Sequence, residues 1–438
     1  MSKLPMIEYA QRRQQLLAQL PDGAVVLVQA SATQIRNGDV EQDYRQHSSF
    51  QYLSGFVEPE SVLVLSKGPS NSTISVFCRS KDKQQEIWHG RRLGVDAAPA
   101  ALMVDQAFAI EQLTDKLVEL LDGASQVVYA FSRESTQILV QQSLHKLRGL
   151  SRQGKCSPTQ LVDLDPMLDA MRLLKSTVEI EQMQHACNIS IDAHKRAMRG
   201  CHAGMNEYQL AAEVHHEFSI QGSQRVAYGS IVAGGDNACI LHYTNNDQLL
   251  RDGDLVLIDA GCELDHYAAD ITRTFPVNGR FSEPQKVIYE LVLAAHQAVL
   301  AVIKPGTLVS EMQDAAVKVM TQGLLDIGLL QGDLQKNIID QTYRQFYMHN
   351  IGHWLGMDVH DVGLYKLDGA SRPLEAGMVT TVEPGLYIDP EDLDIAPQWR
   401  GIGVRIEDNI LVTNAGYRNL TQDLPVSVAG IEELMASA

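Results

Sequence analysis

Apolar and polar positions along this chain repeat with two different periods. Residues 7–20 (IEYAQRRQQLLAQL) carry apolar side chains at helical spacing, and three short β-like runs follow at Ala24–Gln29, 61–65 and Thr73–Cys78. An amphipathic helix is predicted over 110–121, a strand over 125–131 and a helix over 136–149. Strands and helices that alternate in this way indicate an α/β domain. Residues 150–160 are polar, lack periodicity and contain Gly and Pro, so they predict a loop near a domain boundary.

Beyond Pro166 the pattern becomes helix-rich. Ser176 and Glu179 have the spacing of a capping box, which predicts a long helix running to about Arg199. Two stretches then resemble each other. Ala193-His194 precedes Gly204, Ala295-His296 precedes Pro305-Gly306, and a helix followed by strand-rich sequence comes after each. Chance likeness of two helix pairs is the plain alternative. The matching order of elements favours an internal pseudo-twofold with a site where the halves meet.

A length of 438 residues predicts two domains, or three as the alternative. The 45% hydrophobic and 21% charged fractions are those of an ordinary water-soluble globular chain. A net charge of −18 argues against nucleic acid or an anionic membrane as partner, since either needs a basic face. The six cysteines are scattered without a C-x-x-C pair, which predicts reduced, mostly buried thiols. Polar residues interrupt the start of the chain, no run approaches the ~20 apolar residues of a membrane span, and the C-terminus is no lipidation signal. A cytoplasmic location is expected.

Four segments carry candidate chemistry. Leu255-Val-Leu-Ile-Asp259 is an apolar strand ending in a carboxylate, and Ala268–Phe275 reads as a strand with the carboxylate of Asp270 inside it. A hairpin folded about Leu264 and Asp265 would set Asp259 directly opposite Asp270. Carboxylates that close need a shared proton or a cation. An exposed edge hairpin is the bland alternative, and the apolar run before Asp259 argues against it. His349, His353 and His360 cluster in the second segment. His349 and His353 have H-x-x-x-H spacing, but Asn350 replaces the Glu that a zincin helix needs, and Gly352 and Gly356 favour a loop or strand edge. Val379-Thr-Thr-Val-Glu383 reads as a β-branched strand with Glu383 on one face, stopped by Pro384-Gly385. Alternation puts Arg405 and Glu407 on one strand face, which alone would read as a surface ion pair. Taken together, four acids and at least one imidazole suit Mn²⁺, Co²⁺, Fe²⁺ or Zn²⁺, and two bridged ions would use four carboxylates better than one. The chain has no P-loop and no G-x-S-x-G elbow, and Ala233-Gly-Gly-Asp236 lacks a dinucleotide fingerprint.

These motifs resemble those of aminopeptidase P, the Xaa-Pro aminopeptidases of the creatinase/methionine-aminopeptidase pita-bread class. The residues that carry the likeness are Ile240-Leu-His-Tyr243, LIDAG (257–261), DITRTFPVNG (270–279), HNIGHWLGMDVHDVG (349–363), TVEPGLYI (381–388) and RGIGVRIEDN (400–409). The segments 44–56 and 86–94 resemble the bacterial branch. The resemblance implies a mixed α/β (α+β) chain, with a creatinase-like N-terminal domain over 1–170 and a pita-bread metallopeptidase domain with pseudo-twofold symmetry over 171–438. It also implies two divalent ions per subunit, usually manganese. Asp259 would hold one ion, Asp270 and Glu407 would bridge both, and His353 and Glu383 would complete the second.

By the same resemblance, a metal-bridging hydroxide would attack the bond before proline. Glu383 would shuttle the proton, and His242 and His360 would hold the carbonyl and the oxyanion. His349, Arg405 and Tyr387 would bind substrate or orient their neighbours. Asp39 and Trp88 would serve the site of a neighbouring subunit in a dimer or tetramer. The rival readings are a prolidase confined to Xaa-Pro dipeptides, a methionine aminopeptidase, a creatine-type amidinohydrolase and a non-catalytic binding protein of the same fold.

Overall fold

The computed structural model describes residues 4–437. The readings of the two chain ends rest partly on Met1–Lys3 and Ala438, which lie outside the described residues. The chain forms two compact units, one ending at Met171 and the other starting at Arg172. No helix among the described residues is long and apolar enough to cross a membrane.

The N-terminal unit is built on a six-stranded sheet. Its order is Gln106–Ala109, Thr73–Cys78, Val62–Ser66, Ala24–Gln29, Gln126–Tyr129, Gln160–Asp163. The central strand Ala24–Gln29 pairs antiparallel with Val62–Ser66 and parallel with Gln126–Tyr129. Its near-continuous apolar run follows from burial on both faces. Helices Leu113–Leu121 and Glu134–Gly149 cover the sheet through Leu117, Leu121, Val140 and Leu144, which pack on Val25, Leu27, Val64 and Phe77. Two details differ from the pattern read in sequence. The helix predicted over 110–121 opens with the 3₁₀ turn Ile110–Gln112. The polar stretch from 150 leads into the edge strand Gln160–Asp163, whose half-exposed residues give no apolar run to detect.

In the C-terminal unit the capping box forms as spaced. Ser176 N donates to Glu179 Oε2 at 2.9 Å, and the helix runs over Thr177–Gly200. That helix pairs with Glu207–Ile220, and Glu283–Val302 pairs with Val309–Asp326. Each pair is followed by a three-stranded sheet. One has the order Ile231–Gly234, Leu255–Asp259, Thr272–Pro276, and the other Val379–Val382, Asp408–Thr413, Gly416–Asn419. The repeated histidines are both buried and do matching work. His194 Nε2 donates to the carbonyl of Ala260 at 3.0 Å, and His296 Nε2 lies 3.3 Å from Asp408 Oδ2. Each therefore ties its helix to the residue next to a candidate ligand, Asp259 or Glu407.

The hairpin between the two first-half carboxylates differs from its expected register. The two-residue loop is Asp265-His266, both with positive φ (49° and 70°), so it turns one position later than predicted. Asp259 therefore stands opposite Thr272, and Asp270 lies just outside the strand Thr272–Pro276. The shift is even in register, so both carboxylates keep one face and meet diagonally. Gly261 makes this crossing: a Cβ there would lie 1.7 Å from the carbonyl oxygen of Ala269. Gly261→Ala is expected to cost at least ~3 kcal/mol, because backbone has to move. Thermal melts check this, with a fall in Tm of several degrees expected.

The segment 401–408 also departs from a single strand. Gly403–Arg405 pairs with Gly385–Tyr387, whereas Asp408–Thr413 pairs with Val379–Val382. The chain changes sheets at Ile406-Glu407, and Glu407 N donates to Thr272 O at 3.1 Å. Glu383 likewise lies one residue past its strand, with its N–H on Ile351 O at 2.9 Å.

Candidate metal centre

Strand ends and sheet changes open onto one cavity of about 620 Å³ in the C-terminal unit. Its walls include Asp259, Asp270, His353, Glu383, Glu407, His242, His349, His360 and Arg405. The innermost group is Asp270, His353 and Glu407, whose potential ligand atoms all lie within 4.8 Å of one another. His353 Nε2 stands 3.3 Å from Asp270 Oδ2 and 3.5 Å from Glu383 Oε1. The Nδ1 of His353 donates to the carbonyl of Trp354 at 3.0 Å. That bond turns Nε2 towards the acids, where a divalent ion would take the place of the Nε2 proton while Nδ1–H stays on the carbonyl, the arrangement a ligating imidazole needs.

Each carboxylate is aimed by a partner. Arg405 Nη2 donates to Asp259 Oδ2 at 2.7 Å, and its Nε donates to Thr272 Oγ1 at 3.2 Å. Thr272 in turn donates to Glu407 Oε2 at 2.6 Å. Thr381 Oγ1 donates to Glu383 Oε1 at 3.2 Å while accepting from His353 N at 3.0 Å. Asn409 holds the backbone of Asp270 from both sides. The hydroxyl of Tyr228 stands 2.6 Å from Asp259 Oδ1 and 2.5 Å from Asp270 Oδ1, and its single proton can serve only one of them. Arg405 Nη1 donates to Tyr387 Oη, Tyr387 donates to His349 Nε2, and His349 Nδ1 donates to Asn350 O. This chain fixes His349 as a neutral ring. Burial, helped by nearby Arg405, holds it down at about 4 despite its bond to Asn350.

The electrostatics of the cluster are those of anions short of cations. Burial raises Asp270, with Asp259 adding to the rise and the bonds to His353 and Tyr228 opposing it; burial also raises Glu407, with Asp270, Glu383 and Asp259 adding to the rise. Burial pushes Glu383 up to about 7, with Asp270 adding to the rise and His353 and Arg405 opposing it. Burial acts to lower His353, but its bond to Asp270 and the charges of Asp270 and Glu383 outweigh that and lift it to about 9. Oxygen-rich donors with one imidazole fit hard to borderline divalent ions, and such ions would relieve this crowding.

The profile of metallopeptidase family M24 matches residues 181–414, and that of the aminopeptidase P N-terminal domain matches residues 9–129. The chain is 47% identical to the Xaa-Pro aminopeptidase of Escherichia coli (strain K12), over 100% of this chain and 99% of that one. The chain belongs to metallopeptidase family M24. Solved structures agree with this. Aminopeptidase PepP of Pseudomonas aeruginosa superposes with a TM-score of 0.98 at 48% identity, covering 100% of this chain and 99% of that one. Zn-substituted E. coli aminopeptidase P in complex with product gives 0.97 at 46% identity, with the same coverage. The paired helices and sheets described above are thus the M24 pita-bread domain, preceded by an aminopeptidase P N-terminal domain.

Sequence reasoning missed several members of this M24 site. Tyr228 lies 31 and 42 positions from the acids it touches, with no local pattern around it. Thr272 and Asn409 stood inside quoted motifs but read only as strand residues. Asp39 and Trp88 belong to the N-terminal unit and are exposed, Trp88 by 80%.

Proposed function

We propose that this chain releases the N-terminal residue from peptides with proline in the second position, as an Xaa-Pro aminopeptidase. The observation that carries the chemistry is the cluster of Asp270, His353 and Glu407, with Asp259 and Glu383 in the same cavity. The full-length likeness to Xaa-Pro aminopeptidases supports the choice of bond. The donor set supports two divalent ions, with manganese the first choice and Co²⁺, Zn²⁺ or Fe²⁺ as alternatives. Asp259 would hold one ion, Asp270 and Glu407 both, and His353 and Glu383 the second. Such ions supply Lewis acidity, polarising a carbonyl and bringing the pKa of water towards 7.

The side chains do the rest. Glu383, on the cavity wall, accepts a proton from attacking water and delivers it to the leaving proline nitrogen. His242 and His360, exposed on the cavity wall, bind the scissile carbonyl and the developing oxyanion. His349 and Tyr387 are held by Arg405 and shape the substrate wall. The six free cysteines suit a reducing compartment, and we place the enzyme in the cytoplasm. The exposure of Ile87 and Trp88 (80% each) supports a homo-oligomer, dimer or tetramer, in which Asp39 and Trp88 serve a neighbour's site.

An assay after chelation tests the reading. Xaa-Pro-Xaa hydrolysis is expected to disappear and to return with Mn²⁺, Co²⁺ or Zn²⁺. Activity confined to Xaa-Pro dipeptides would make the chain a prolidase instead. No bound transition metal and no peptidase gain on adding Mn²⁺ would make it a binding protein.

A further inference from the structure

A second cluster of buried charge lies beside the cavity, and the mechanism above makes no use of it. Arg172 Nη2 is 2.6 Å from Asp358 Oδ2 and 2.6 Å from Asp361 Oδ1. Lys175 Nζ donates to Asp361 Oδ2 at 2.9 Å. The side chains of Arg172, Lys175 and Asp361 are only 4%, 1% and 1% exposed. Both oxygens of Asp361 are therefore committed to separate buried cations, and its N–H donates to Trp354 O at 2.8 Å. Gly356 leaves the room for this, since a Cβ there would lie 2.1 Å from Asp361 Oδ2.

His360 sits between the two clamped carboxylates in the sequence. Its ring lies edge-on to His353 with centroids 4.3 Å apart. Among the described residues its imidazole makes no hydrogen bond, so its backbone must place it. Buried ion pairs are seldom worth more than an apolar replacement, which points to geometry as the reason for keeping them.

We infer that Arg172 and Lys175 are positioning residues for catalysis, acting through Asp361 to hold His360 at the substrate carbonyl. This rests on the role given to His360 in the proposed function. A misplacement of about 1 Å can cost ~10²-fold in rate.

A double-mutant cycle on the metal-loaded, full-length enzyme tests it. Lys175→Met is expected to lower kcat by roughly 10–100-fold, with KM and bound metal little changed. In a His360→Ala background the same substitution should cost less than about 3-fold, because the group it positions is gone. A loss of equal size in both backgrounds overturns the proposal and leaves the function standing. Full activity in His360→Ala overturns both the role of His360 and the proposal. If Lys175→Met does not fold, Asp358→Asn, which cuts the more exposed arm, decides by the same comparison with a smaller expected loss.

Discussion

Glu383→Gln is expected to lower kcat by about 10²–10⁴-fold, the range for removing a positioned acid–base group. Gln keeps the volume of Glu and an oxygen for Thr381 to donate to, but it cannot carry a proton in the neutral range. The wild-type carboxylate can accept a proton and give it back. KM for an Xaa-Pro-Xaa peptide should change little. Metal content measured on the same sample separates a lost proton carrier from a lost ligand. A Gln variant that keeps more than half the wild-type kcat would remove Glu383 from the proton path.

Asp270→Asn is expected to weaken metal binding by at least ~100-fold, removing about 2.7 kcal/mol of metal-linked stabilisation at concentrations that saturate the wild type. Glu383 gives the sign of the pH dependence. A carboxyl whose folded pKa is raised from 4.5 to about 7 contributes stability that is fully present below 4.5 and lost as pH rises through 7. The loss is on the order of 3 kcal/mol for a shift of that size. Metal-free wild type should therefore fall behind metal-free Glu383→Gln in Tm as pH rises across this window. The gain in Tm on adding Mn²⁺ should grow over the same range. A gap between wild type and variant that stays flat with pH would show that the Glu383 carboxyl is not raised in the metal-free protein.

The sequence alone was enough to show an α/β unit followed by a repeated helix–strand unit. Those readings rest on local periods, and the strongly amphipathic or doubly buried segments realised them: Ala24–Gln29, Thr177–Gly200 and the two paired-helix repeats. Weak local signals failed for a physical reason. Gln160–Asp163 is a half-exposed edge strand, and 401–408 looked like one strand because nothing in its alternation marks the change of sheet. The hairpin between Asp259 and Asp270 was legible as a hairpin but misread by one position. Turn chemistry at Asp265-His266 fixes the register, and the apolar pattern on either side tolerates both choices.

Residue type and strand-end placement by themselves picked out acids and histidines suited to a divalent metal. They did not say which histidine, since His349, His353 and His360 share one motif. The resemblance to a family chose His353. The tertiary structure shows why the three differ: His353 turns Nε2 to Asp270, His349 is locked to Tyr387, and His360 stands exposed beside a clamped carboxylate. Tyr228 on two carboxylates, Arg405 on Asp259 and the grip of Arg172 and Lys175 on Asp361 belong to the fold alone. Arg405 and Asp259 are 146 positions apart, and Lys175 and Asp361 are 186 apart. Local periodicity carries no information at such separations, and only the packing of the two halves brings these charges together.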